Sequence, residues 1–296
     1  MSYDFRSGEE LLALCERDGL PIYGVMLKSE LEREERDEQT LNAEMLKNLE
    51  TMRTSAKSGV GNAQATVSGL MGGDAELLHA YAEKSLCGSR MNRAAAAAMG
   101  VLEVNASMGK IVAAPTAGAS GVLPGTLLTC AEDLKWDDET LVRGLYTAGA
   151  VGALVAANAS VSGAAGGCQA ETGTAAAMAA AALVELSGGT PEMALDAAAI
   201  ALKNVMGLVC DPVAGLVECP CIKRNAIGAA NAMLSADLAL AGVKSLIPFD
   251  EVVVAMKNVG RAMSSDLRET ARGGLAATPT AKALRKKLGL YGAERE

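Results

Sequence analysis

Between Ala175 and Leu186 the chain offers its neighbours little more than methyl groups, and Gly149 to Ala157 has the same Ala/Gly character. Alanine is the strongest helix former and glycine lets backbones approach closely. Such segments therefore build helices that pack at short range. Aromatic residues make up only 3 % of a chain that is 50 % hydrophobic, so the core must be assembled from Ala, Val, Leu and Met. Alternating β-branched runs are scarce, and Ile111-Val112 and Val252-Val253-Val254 are too short to carry a sheet. The fold class is all-α, an Ala/Gly-rich helical domain.

Periodicity and breakers predict helices over about 74–86, 89–100, 121–134, 138–158, 172–187, 191–207, 225–241 and 250–271. Ser7-Gly8-Glu9-Glu10 has the form of a capping box, and Gly19 closes the helix it opens. Ser29-Glu30-Leu31-Glu32 reads as a second such cap, before a helix whose Leu41, Met45, Leu49 and Met52 share a face. Its charged run, Glu32 to Glu38, is read as a solvated start. Thr190-Pro191 marks another helix start, and Asp250 is expected to cap the helix after Pro248-Phe249. Dense charge ends near Ser58, so residues 1–58 are read as a helical extension packed on a core of 59–296, within one compact domain.

A net charge of −8 argues against nucleic-acid or anionic-membrane partners. A spanning helix needs about 20 predominantly apolar residues. The two Ala/Gly stretches fall short of that, so neither is expected to cross a membrane. The polar start Met1-Ser2-Tyr3-Asp4-Phe5-Arg6 lacks the apolar core of a signal peptide, and the expected location is cytoplasmic. Seven cysteines without a secretory signal then point to reduced thiols, some with metal or catalytic roles.

Cys15, Cys87 and Cys130 read as small hydrophobes. Cys168, Cys210 and Cys221 differ, because Gly or Pro lies close to each and polar Gln169, Asp211 and Lys223 stand beside or near them. Their thiols are expected from turns, as metal ligands. Cys219 is either a fourth ligand or a packing residue, and a four-cysteine zinc site satisfies the same spacing. In Thr116-Ala117-Gly118-Ala119-Ser120-Gly121, hydroxyls and bare N–H groups precede a helix, which suits a carboxylate or phosphate. A plain turn with Ser120 as N-cap fits equally well. Lys223-Arg224-Asn225 brings cations that either hold a substrate carboxylate or offset negative charge at the cysteines. His79, the single histidine, sits in an ordinary helical pattern, so a Ser-His-Asp triad is a poor fit. A dinucleotide fingerprint fails at Gln64, where its third glycine would stand.

Taken together, Ser68 to Asp74, Ser107 to Gly121, Gly166-Gly167-Cys168-Gln169, Cys210-Asp211-Pro212 through Cys221-Ile222-Lys223-Arg224-Asn225, and Gly274 to Thr280 resemble the α chain of the iron–sulfur-dependent L-serine dehydratases. The resemblance spans nearly the whole chain. It implies a [4Fe–4S] cluster on Cys168, Cys210 and Cys221 with one iron left open, and no pyridoxal phosphate. It also implies conversion of L-serine to pyruvate and ammonia, with Lys223 and Arg224 near the chemistry and the base unassigned. Thr116, Ala117, Gly118, Ser120, Gly121 and Asn225 are the expected substrate contacts.

Single-chain members carry a second domain for which this chain has no counterpart. A separate β chain with an ACT-type regulatory domain, in an oligomer, is therefore expected. Such members can also end in a cysteine, which Leu290 to Glu296 lacks, and Ala165 stands where they often carry an acidic residue. Two other readings remain: a zinc-stabilised helical subunit using Cys168, Cys210, Cys219 and Cys221, and a related iron–sulfur cysteine desulfidase.

Overall fold

The computed structural model describes residues 2–63 and 65–290. Gln64 and the tail from Tyr291 onward lie outside them, and so do the readings made there. The described residues form thirteen α-helices and no strand. These are α1 (Gly8–Asp18), α2 (Ile22–Glu34), α3 (Glu38–Gly61), α4 (Asp74–Ala80), α5 (Ser89–Ala106), α6 (Val122–Leu134), α7 (Asp138–Asn158), α8 (Gly163–Gly166), α9 (Thr174–Leu186), α10 (Pro191–Asn204), α11 (Cys221–Leu240), α12 (Phe249–Ala262) and α13 (Pro279–Lys287).

The alanine run is the axis of the molecule. Every residue of α9 from Thr174 to Val184 is buried, and α6, α7, α10 and α11 pack around it. A helix apolar on all sides belongs in a core. Backbones come very close where α3 crosses α5: a Cβ placed on Gly59 would overlap the carbonyl group of Gly100. At the α5–α6 crossing a Cβ on Gly121 would overlap the carbonyl oxygen of Ala98. By length and composition α7 could cross a membrane, yet 67 % of its apolar window is buried inside the fold. That marks a core helix.

The division at residue 58 falls inside α3, and Leu11, Ile22, Leu49 and Met52 belong to the same apolar core as α7, α9 and α10. Partly buried Glu185 on α9 ties the two regions together. Its carboxylate accepts the N–H groups of Ile22 (2.6 Å) and Tyr23 (3.1 Å) and the Thr147 hydroxyl, so it caps α2, which Pro21 precedes without a side-chain cap.

Several expected helix ends move. Ser7 and Gly19 bound α1, and Thr190 caps α10, as the sequence indicates. Ser29 does not open a helix, because it lies inside α2; Asp37 caps α3 by accepting the Thr40 N–H at 2.7 Å. The charged run is thus the end of α2 and the turn into α3. Asp250 caps a different helix from the one it sits on. Its carboxylate accepts the N–H groups of Gly8 (2.7 Å) and Glu9 (3.1 Å), at the start of α1. The expected helix 250–271 ends at Ala262, where Ser264 turns the chain by accepting the Asp266 N–H. At its other end α11 begins earlier than expected, at Cys221.

Candidate active site

Three elements bring the three cysteines to one place. Cys168 follows Gly167, whose φ of 79° suits glycine, and precedes a π-helical turn, Gln169–Gly173. Such turns occur often at functional sites. Gln169 is fully buried and fixes this turn: its amide nitrogen donates to the carbonyls of Gly166 (2.8 Å) and Met256 (3.0 Å), and its oxygen accepts the Gly207 N–H (2.9 Å). Cys210 lies in extended chain, its N–H bonded to the Leu267 carbonyl at 2.8 Å and its carbonyl to the Glu269 N–H at 2.7 Å. Cys221 is the first residue of α11, so this thiol comes from a helix start rather than a turn.

The thiols feel one another. Burial is the largest cause that raises all three above the ordinary thiol value, and charge at Cys168 adds to the rise at Cys210 and at Cys221, which reaches about 12. The Arg224 guanidinium opposes the rise at Cys168 and Cys221. Partly buried Glu171 adds to it at all three, its Oε2 4.0 Å from the Cys210 sulfur, and burial holds its own carboxyl above the usual range. A Cβ on Gly163 would lie 2.6 Å from that Glu171 oxygen and 2.9 Å from the Cys210 sulfur, so the floor here admits no side chain.

Such a pocket of buried sulfur donors suits thiolate-binding metal. Among the described residues no three His, Cys, Asp or Glu side chains converge tightly enough for a single ion. An iron–sulfur cluster takes one thiolate per iron and therefore asks for ligands set further apart than a zinc tetrahedron does.

The 116–121 segment lies against the same site. Asn225, one turn along α11 from Cys221, accepts the Gly121 N–H (3.0 Å) and donates to the carbonyls of Gly118 (2.8 Å) and Cys221 (3.0 Å). Ser120 does not act as an N-cap. Its Oγ is buried with no hydrogen-bond partner among the described residues, whereas the Thr116 hydroxyl faces the Glu171 carboxyl and pulls its proton affinity down. Such an orphaned hydroxyl is costly unless something else meets it.

The serine dehydratase alpha chain family model matches residues 17–276. A probable L-serine dehydratase alpha chain of Bacillus subtilis (strain 168) is 51 % identical over 286 residues, covering 96 % of this chain and 95 % of that protein. The L-serine dehydratase alpha chain of Peptoniphilus asaccharolyticus is 46 % identical, covering 95 % and 97 %. The chain belongs to the serine dehydratase alpha chain family. A further relative, the L-serine dehydratase TdcG of Escherichia coli (strain K12), is 37 % identical, and the match covers 93 % of this chain but 62 % of that protein. This alpha chain thus corresponds to part of the longer relative.

Within this serine dehydratase alpha chain the expected site residues do not all meet. Arg224 stands beside the cysteines, with Nη1 on the Val209 carbonyl (2.7 Å) and Nη2 on Asp211 (2.9 Å). Lys223 is exposed and pairs with Asp74 on α4 at 3.2 Å, away from the thiols. Cys219 is half-buried, and its carbonyl accepts the Val213 N–H at 2.8 Å. Glu171 is the residue that pattern reading passed over. Its signal was available: it is the only charged side chain between Arg143 and Glu185.

Proposed function

We propose that this alpha chain is the catalytic subunit of a cytoplasmic L-serine dehydratase, converting L-serine to pyruvate and ammonia, with Cys168, Cys210 and Cys221 holding a [4Fe–4S] cluster. The observation that carries the reading is the meeting of three thiols from separate segments, two buried and one half-buried, in a chain whose full-length relatives are named L-serine dehydratase alpha chains. When bound, such a cluster supplies a Lewis-acidic iron that makes the serine hydroxyl a better leaving group.

The chain's own residues do the rest. The Thr116–Gly121 segment, clamped to α11 by Asn225, presents the unpartnered Ser120 hydroxyl, the Thr116 hydroxyl beside Glu171 and the N–H groups around Ala117 and Gly118 to the substrate carboxylate. Arg224 has two donors committed to Val209 and Asp211, so it offsets negative charge at the cysteines and does not grip substrate. Lys223, turned toward Asp74, has no part in the chemistry. Loss of the Cα proton and of the β-hydroxide, together one water, leaves an enamine, which tautomerises to an imine and takes up water to give pyruvate and ammonia. Taking that proton falls to a group outside this set, and a separate β chain with an ACT-type domain, in an oligomer, is its proposed source.

Anaerobic reconstitution with iron and sulfide, with and without a co-expressed β chain, tests the reading. The expected result is a brown, air-sensitive protein with acid-labile sulfide that forms pyruvate from serine. A colourless product holding one zinc and no acid-labile sulfide would overturn it.

A further inference from the structure

We infer that Asp211 is a positioning residue whose two carboxylate oxygens do separate work: one holds Arg224, and the other holds residues 267–275 across Cys210. Its consequence for catalysis rests on the cysteine assignment proposed above, but the contacts do not. Asp211 is 3 % exposed. Its Oδ1 accepts Arg224 Nη2 at 2.9 Å, in an ion pair shielded on both sides. Its Oδ2 accepts the Leu275 N–H at 2.7 Å. Gly274, with φ of 58°, sits so close that a Cβ there would overlap this same oxygen.

The 267–275 segment is not a relaxed turn. Glu269 and Ala271 hold φ values of 60° and 54°, a left-handed conformation that costs non-glycine residues energy and needs outside support. Besides a long contact from Arg268 Nη1 to the Ala165 carbonyl (3.5 Å), two attachments supply that support. Cys210 pairs its backbone with Leu267 and Glu269, and Asp211 takes Leu275. Both anchors therefore belong to the Cys210-Asp211 dipeptide, so the cover is fastened at the thiol it covers. Asparagine is nearly the size of aspartate but has one acceptor oxygen, and cannot serve Arg224 and Leu275 together.

The test uses metal-free full-length chain, labelled with N-ethylmaleimide and read cysteine by cysteine by mass spectrometry, with limited trypsin digestion at Arg268 and Arg272. In Asp211→Asn, labelling of Cys210 and cleavage after Arg272 should rise about tenfold, the factor for one lost charge-assisted hydrogen bond. Cys15 and Cys130, in the main core, should stay unlabelled. Gly274→Ala, whose Cβ would press on the Asp211 side chain beside Leu275, should also expose Cys210. Asp211→Glu, keeping both acceptors, should restore part of the protection. After anaerobic reconstitution, the Asp211→Asn protein should lose its visible absorbance in air about tenfold faster than wild type. Unchanged Cys210 labelling in both Asp211→Asn and Gly274→Ala overturns the inference, as does a rise that includes Cys15 and Cys130. If Asp211→Asn fails to fold, Gly274→Ala decides. Wild type that gains no iron or sulfide would defeat the functional proposal and leave the labelling result standing.

Discussion

Composition does not separate a thiol that fills space from one that binds metal; surroundings do. Cys15 and Cys130 are buried among the apolar side chains of the main core, where burial is the largest cause that raises their thiols, to about 12 and about 11. Cys168 and Cys210 are buried, and Cys221 half-buried, beside Arg224, Glu171 and one another. Cys168→Ala, Cys210→Ala and Cys221→Ala should each lose bound iron and serine turnover, whereas Cys15→Ala should keep both and lose only a little stability. Iron and sulfide analysis with a pyruvate assay checks this, and four variants that behave alike would break the distinction. Asn225 makes a second residue-scale case. Removing its side chain leaves the buried Gly121 N–H and Gly118 carbonyl unpaired, at about 1–3 kcal/mol each. Asn225→Ala should therefore raise KM for serine about tenfold while kcat falls less, since the 116–121 segment loses its clamp whereas the cysteines lose only one hydrogen bond, to the Cys221 carbonyl. Steady-state kinetics on reconstituted enzyme would show it, and a pure kcat defect would contradict it.

Helices were legible wherever packing follows local pattern. The alanine run, the Ser7 and Thr190 caps and the α3 face all stand where periodicity puts them, because those signals lie within a single helix. Ends were misplaced where a distant partner decides. Asp250 has the side chain of an N-cap, but the start of α1 takes it, a pairing across 242 positions that no local window contains. Asp250→Ala should accordingly loosen α1 and not α12, costing about 1–2 kcal/mol. Hydrogen exchange should quicken at Gly8 to Leu11 and stay slow at Val252 to Met256. Close helix crossings set the other element-scale expectation. Gly59→Ala puts a methyl group into the backbone of Gly100, where no flexible side chain is available to yield. Denaturant unfolding should show a loss at or above the about 1–3 kcal/mol typical of overpacking, whereas Gly61→Ala, two residues on in open space, should be nearly neutral.

At the scale of the molecule the sequence pointed to one compact unit, yet the charge contrast that set the boundary at residue 58 reflects solvent exposure along α2 and α3 and not a seam in the core. The site was half legible for a related reason. Cysteines and glycines announce themselves by type, but the work of Glu171, Gln169 and Asp211 depends on which segments meet, and only the assembled helices reveal that. Glu185 shows how the N-terminal helices are fastened to the core and how that fastening responds to pH. Burial raises its carboxyl above the ordinary 4.5, while Thr147 and the N–H groups of Tyr23 and Ile22 pull it partly back. The folded chain therefore holds this proton to higher pH than the unfolded chain does. Its contribution to stability is fully present below pH 4.5 and is lost as pH rises through the raised value. Glu185→Gln, which carries no charge to desolvate, should melt with a shallower decline as pH rises above about 4.5. Glu103 and Glu171 are raised by burial too, so the slope should shrink without vanishing. Melting curves of wild type and variant that run parallel across this range would show that the carboxylate at the α2–α9 junction carries no such linkage.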